Sequence, residues 1–199
     1  MAHASDTHTL SDVAESQPFT AREWWQGLLR EVLETAIITL FIFFVVQMGV
    51  QNYKVLGSSM EPSLHQGQYL LVNKIEYRLH SPARGDVIVF HYPNNPSDDY
   101  VKRVIGLPGE RIEVKDGQVF VDGVQLDEPY LRVKTTTSYN GVVPEDTVFV
   151  MGDNRGNSSD SRSWGALPQE YIVGRAVLCY WPPEQWDLLP GYSYATPGP

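Results

Sequence analysis

The chain is poor in the residues that most often mark chemistry. It has one cysteine, Cys179, in 199 residues. A single thiol cannot close an internal disulfide, and zinc sites built from several cysteines are excluded. Cys179 lies in the apolar run A-V-L-C-Y-W with no histidine near it in sequence, which predicts a small buried hydrophobe rather than a reactive thiol. Histidine is sparse too: His3, His8, His65, His80 and His91 show no H-x-x-x-H or H-x-H spacing, so none looks like a metal ligand. A Ser-His-Asp triad would have to recruit one of three isolated rings. Basic charge is also low, with 15 Lys and Arg against 24 Asp and Glu and a net charge of -9. That sign is wrong for binding phosphate backbones, so nucleic acid is excluded as a partner. The acidic residues are scattered and read as a solvated surface. No internal repeat is present.

There is one long hydrophobic run. Residues 1–21 are small, polar and patternless, and are expected to form a disordered tail. From Arg22, apolar residues recur at three- and four-residue steps (Trp24, Trp25, Leu28, Leu29, Val32, Leu33), giving an amphipathic helix led by two tryptophans. The uncharged stretch T-A-I-I-T-L-F-I-F-F-V-V-Q-M-G-V follows, extended by Gln51 and Asn52 to about 18 residues, the lower edge for a membrane span. A single transmembrane helix is therefore expected within 22–52. A cleaved signal peptide would begin earlier and end in a small-x-small site, and a buried helix of a soluble protein would carry a polar face. Arg22 and Arg30 on one side and Lys54 on the other barely orient it.

Beyond Lys54 the texture changes to short apolar or alternating runs such as D-V-I-V-F-H-Y, R-I-E-V and T-V-F-V-M. Gly, Pro, Asn and Asp separate them, the pattern of an antiparallel β protein. E-V-K-D-G-Q-V-F-V predicts a tight hairpin turning at Asp116-Gly117. The tail P-G-Y-S-Y-A-T-P-G-P is expected to be loose.

Three stretches could carry chemistry. V-L-G-S-S-M-E-P-S-L turns sharply just after the apolar helix and offers two serines, although an ordinary turn would read the same. In D-Y-V-K-R-V-I-G-L-P-G-E, Lys102 and Arg103 are neighbours on a predicted strand, so they point to opposite faces and one of them should face the core. Burying a lysine lowers its pKa, and moving it from about 10.4 to near 7–8 costs roughly 3–4 kcal/mol of charged-state stability. Such a cost suits a neutral amine acting as a general base, while an edge-strand lysine facing solvent is the plain alternative. The third stretch, G-D-N-R-G-N-S-S-D-S-R-S-W-G, is densely polar between two apolar strands. So many hydrogen-bonding groups exceed what a connection needs, and a buried polar network persists only when fully paired.

Together the three stretches resemble the type I signal peptidase family, membrane-bound serine proteases with a Ser/Lys dyad. The resemblance runs over most of residues 20–182: an anchor, S-M-x-P, R-G-D-V-I-V-F, Y-V-K-R-V-I-G-L-P-G, then G-D-N-R-x-N-S-x-D-S-R. It implies Ser59 as nucleophile and Lys102 as general base, with Ser158 hydrogen-bonding and orienting the lysine amine. It also implies that Asp153, Arg103, Asp160 and Arg162 are the charged pairs holding the walls of the site, and that Gly152 is a tight backbone position. Two positions depart from common family patterns. Gly57 stands where some members have a serine that donates to the oxyanion, and Gly156 stands where many relatives have Asp.

The implied fold is mainly β: an antiparallel catalytic core (53–106 and 147–186), a small inserted β-hairpin region (107–146) and a C-terminal tail (187–199), preceded by one N-terminal transmembrane helix. The implied activity is removal of N-terminal signal peptides from secreted preproteins bearing small residues before the cut. No metal or cofactor is implied. The implied location is the cytoplasmic (inner) membrane, single-pass, with residues 1–21 in the cytoplasm, the catalytic part on the outer, periplasmic face and the lipid bilayer as partner. Met60, Leu64, Phe90, Tyr92, Trp181 and Trp186 are candidates for an apolar surface lying on the bilayer. The rival readings are a self-cleaving repressor or an organellar peptidase with the same dyad, and a membrane-tethered relative that binds peptide without cutting it.

Overall fold

The computed structural model describes residues 21–135, 137–189, 191, 192 and 194. The expected tail of residues 1–21 lies, except for its last residue, outside them. Two compact units divide the chain, residues 1–44 and 45–199.

Helix α1 (Ala21–Gly49) begins in the first unit. Its stretch Trp24–Gly49 is 26 residues long and apolar enough to cross a membrane by length and composition. At about 1.5 Å per residue such a helix spans roughly 39 Å, more than the ~30 Å of a bilayer's hydrocarbon. Ile37, Phe41 and Phe44 are exposed along it. Near its start Arg30 and Glu34 pair at 2.7 Å, one turn apart. The helix ends earlier than the absence of charge suggested. Gln51 and Asn52 belong not to it but to strand β1 (Val50–Lys54), where they pair with Val72 and Leu71. Being uncharged, they extended the apolar run without being helical.

The second unit holds two antiparallel sheets. The chain continues through β2 (Tyr69–Asn73), the short helix α2 (Glu76–Leu79), β3 (Val87–Tyr92) and the long β4 (Asn95–Gly106). Next come β5 (Arg111–Lys115), β6 (Gln118–Val121), β7 (Val124–Gln125), β8 (Tyr139–Val142) and β9 (Thr147–Met151). Helix α3 (Ser161–Trp164), β10 (Leu167–Pro168), β11 (Ile172–Trp181) and β12 (Asp187–Leu188) complete it. The large sheet runs β1-β2-β11-β3-β4-β9-β10, with β12 also on β11, and the small sheet runs β7-β6-β5-β8. The fold is thus mainly antiparallel β after an apolar N-terminal helix.

Side-chain pattern follows position in the sheets. β5 and β6 alternate buried and open positions because only one face of the small sheet is covered. In β3 and the second half of β4 the buried positions are consecutive, because both faces of the large sheet are packed there. One face carries Val55, Leu70, Val72, Val89 and Cys179, and another core holds Ile88, Phe90, Val104, Val148 and Val150. A third core, with Ile105, Ile112, Val121, Phe149 and Met151, joins the ends of β4 and β9 to the small sheet. Gly106 is required at that junction, since a Cβ there would sit 2.6 Å from Ile112 Cδ1. The hairpin turn falls at Asp116-Gly117, with φ of 51° and 79°, both in the left-handed region that this two-residue turn demands.

Cys179 is the buried hydrophobe its setting predicted. Met60, Leu64 and Phe90 are no lipid-facing surface: each is 1% exposed or less and packs in a core. Trp181 and Trp186 are exposed. The segment after 186 is not loose where it is described. Leu188 pairs with Leu178, and the Tyr192 amide donates to the Gly85 carbonyl. Aromatic rings anchor a segment whose Gly and Pro content had suggested a free end.

Candidate active site

Ser59 stands in the turn between β1 and β2. Met60 and Leu64, four residues apart and linked by a backbone hydrogen bond of 2.9 Å, sink into the core and pin this turn. Lys102 projects from β4, opposite Ile88 of β3. Its Nζ donates to Ser59 Oγ at 2.8 Å and to the Val101 carbonyl at 2.8 Å. Both residues line a cleft of about 610 Å³, whose lining also includes Val55, Leu56, Asp99, Tyr100 and Val101.

Lys102 is 3% exposed. Burial lowers its pKa to about 8, against the partial opposition of the Asp160 and Asp153 carboxylates. Strand alternation predicted one buried side chain of the pair Lys102–Arg103, yet Arg103 is buried as well, at 6% exposure. The rule assumes that one face of the strand meets water, and here neither does. The two point to opposite faces, and each finds its own partners.

Those partners come from the polar run. Arg103 forms a bidentate pair with Asp153 at 2.9 and 2.7 Å. Asp160 accepts from Arg162 at 2.8 and 2.7 Å and from the Gly152 amide at 3.0 Å. The run also grips the serine turn. The Asn154 amide donates to the Ser59 carbonyl at 2.9 Å, the Asn154 side chain to the Ser58 carbonyl at 3.1 Å, and Asn157 to Ser58 Oγ at 2.9 Å. Gly152 has no room for a side chain: a Cβ would lie 2.4 Å from the Ser59 carbonyl oxygen and 2.2 Å from Ser158 Oγ. The expected bond from Ser158 to the lysine is not made. Ser158 Oγ is buried with no hydrogen-bond partner among the described residues, and Val101 O occupies the lysine's second direction instead.

Some participants were not singled out from sequence. Arg155, 2% exposed, donates to the Gly152 carbonyl at 3.2 Å and to both carboxylate oxygens of Glu128 at 2.8 and 2.5 Å. Thr135 accepts from Arg162 at 2.6 Å. Glu128 and Thr135 belong to the loop between β7 and β8, 27 residues from their partners, where no local pattern marks them. Arg155 did carry a signal, being a long cation in a run with apolar flanks. No cluster of metal-ligating side chains exists among the described residues.

The family model described as signal peptidase, peptidase S26, matches residues 28–181. Signal peptidase I of Leptolyngbya laminosa is 36% identical over 98% of this chain and 100% of its own length. Signal peptidase IB of Staphylococcus aureus is 36% identical over 78% of this chain and 90% of its own. A crystal structure of a signal peptidase I from Enterococcus faecalis aligns with 48% of this chain and 97% of its own, at 35% identity and a TM-score of 0.45. A family match spanning most of the chain, together with relatives alike over nearly their whole length, means that the chain belongs to the signal peptidase family, peptidase S26, and is a serine peptidase.

Proposed function

We propose that Ser59 is the nucleophile and Lys102 the general base of an endopeptidase that removes signal peptides from secreted preproteins. The observation that carries this reading is the 2.8 Å contact between Lys102 Nζ and Ser59 Oγ, made by a buried amine whose pKa is lowered to about 8. Neutral Lys102 takes the Ser59 proton, and Ser59 Oγ attacks the scissile carbonyl. The Ser59 amide supports the resulting oxyanion. Its orientation follows from the planar trans peptide: the Ser58 carbonyl is held into the polar run, so the Ser59 N–H points the other way. Gly57 offers no hydroxyl, so this backbone donor carries more of the charge. Protonated Lys102 then gives its proton to the leaving amine. Water, deprotonated by the same lysine, resolves the acyl-enzyme.

A preprotein in extended form fits the cleft lined by Val55, Leu56, Asp99, Tyr100 and Val101. Alternate side chains of an extended peptide point the same way, which suits selection of small residues one and three positions before the cut. Helix α1 would hold the enzyme in the cytoplasmic membrane, with residues 1–21 in the cytoplasm and the catalytic unit on the outer face. The roles proposed for the charged pairs are structural. Arg103–Asp153 and Arg162–Asp160 anchor the run that grips Ser59, and Gly152 lets it approach. Ser158 Oγ is unpartnered among the described residues and is not part of the cleft's lining.

The test is cleavage of a purified preprotein by wild type and by Ser59→Ala in detergent, with products read by mass spectrometry. Wild type should cut once, after a small-x-small sequence, and Ser59→Ala should not cut. Cutting at the same bond by Ser59→Ala would assign the nucleophile elsewhere, and a silent wild type would favour a binding protein. The pH dependence has a definite sign. Only the neutral amine is competent, so kcat/KM should rise with pH through a midpoint near 8. At pH 7 about a tenth of the enzyme is in the reactive form. A profile flat between pH 6 and about 9 would be inconsistent with a lysine base.

A further inference from the structure

The proposed reaction uses one face of β4, and the opposite face carries a buried assembly that the mechanism leaves idle. Arg103 lies with its guanidinium carbon 4.3 Å from the centroid of the Tyr130 ring. One of its nitrogens donates to the Gly85 carbonyl at 3.0 Å, and the same carbonyl accepts the Tyr192 amide at 3.2 Å. The Tyr192 ring meets the Tyr130 and Tyr194 rings edge-on at 5.1 and 4.8 Å. The Tyr130 and Tyr194 hydroxyls are 2.5 Å apart, and Tyr130 also bonds Glu128 at 2.9 Å. Glu128 is the carboxylate that grips Arg155. The fit has no slack: a Cβ on Gly85 would lie 1.9 Å from the Tyr192 carbonyl oxygen, and one on Gly191 would lie 2.7 Å from Asp86 Oδ1.

We infer that Tyr192 and Tyr194 are positioning residues for catalysis, a strap that locks the strand bearing Lys102 to the loop that holds Ser59. It reaches both halves of the site by separate routes. Through Gly85 and Tyr130 it fixes Arg103, the residue after Lys102. Through Tyr130, Glu128 and Arg155 it fixes the carbonyl of Gly152, the residue packed against the Ser59 carbonyl. Neither tyrosine lines the cleft. Loss of the strap should therefore let the 2.8 Å dyad contact wander without changing the surface that binds peptide. Buried polar networks of this kind act as a unit, so one missing member loosens the rest. The inference rests on the Ser59–Lys102 reading.

The experiment compares full-length wild type, Tyr192→Ala/Tyr194→Ala, Tyr194→Phe and Ser59→Ala on one preprotein, at a temperature where circular dichroism shows every variant folded. The double variant should lose about tenfold in kcat with KM within about twofold of wild type, because displacement at a distance costs chemistry rather than binding. Tyr194→Phe keeps the ring and should lose about two- to threefold, and it decides the matter should the double variant not fold. A kcat equal to wild type with only a lower melting temperature would overturn the inference, as would a rise in KM alone. Cleavage by Ser59→Ala would overturn the dyad reading and this inference together. A dead Ser59→Ala beside a fully active double variant would overturn this inference alone.

Discussion

Replacing Lys102 by methionine is expected to lower kcat by about 10⁴-fold while leaving the protein at least as stable as wild type at pH 7. The two effects separate because the amine serves the reaction in the proposed mechanism and is costly to the fold. It is 3% exposed, and burial brings its pKa to about 8 from 10.5. At pH 7 the folded protein holds a charged ammonium in a site that disfavours it, at a cost of roughly 3 kcal/mol. Methionine fills a similar volume without that cost. Between pH 8 and 10.5 the unfolded chain retains a proton on this lysine that the folded chain has released. Wild-type stability should therefore rise with pH relative to Lys102→Met across that window. Lys102→Arg supplies the control. It keeps the positive charge but cannot lose its proton, so it should be as inactive as the methionine variant. Preprotein cleavage and denaturant titrations at pH 7 and about 10 measure all three. A Lys102→Arg enzyme retaining much of the activity would show that charge, not basicity, is required.

The largest stability loss is expected at Asp153. Its carboxylate is fully buried and holds the equally buried Arg103 by two hydrogen bonds. Asp153→Ala leaves a guanidinium without a counter-charge, and removal of one partner of such a pair costs about 3–5 kcal/mol. For a domain of this size the melting temperature should fall by roughly 10 °C. Replacing both partners, as Arg103→Met with Asp153→Leu, should recover most of the loss, since the cost lies in the orphaned charge. Asp153 also raises the pKa of Lys102. Any Asp153→Ala enzyme that remains folded should thus show its activity rise at lower pH than wild type. A melting temperature within about 2 °C of wild type would mean that the pair contributes little to the fold.

How far the sequence specifies this molecule differs from element to element. The hairpin at Asp116-Gly117 was legible because two consecutive residues in the left-handed region leave few sequences to choose from. The short β runs and the apolar helix were legible from period and length. The polar run announced itself because buried polar groups need partners, and in the structure Asp153 pairs with Arg103 and Asp160 with Arg162. Local rules failed where distant chain segments decide the outcome. Nothing near Arg103 says that both faces of its strand are covered. Nothing near Glu128 says that it meets Arg155, and nothing near Gly191 says that it packs on Asp86. Ser158 was assigned a bond that the lysine makes with its own neighbour's carbonyl instead.

The order of strands in the large sheet has a consequence for timing. Ser59 lies between β1 and β2, and Lys102 lies on β4, beside β3. These two pairs of strands do not touch each other along the sheet, because β11, the last long strand of the chain, is threaded between β2 and β3. A nascent polypeptide that has emerged only as far as β10 owns Ser59, Lys102 and the polar run, yet lacks the strand that joins the two pairs within the large sheet. Synthesis from the amino end therefore leaves the large sheet divided until its last long strand is delivered. In effect the fold is its own maturation step.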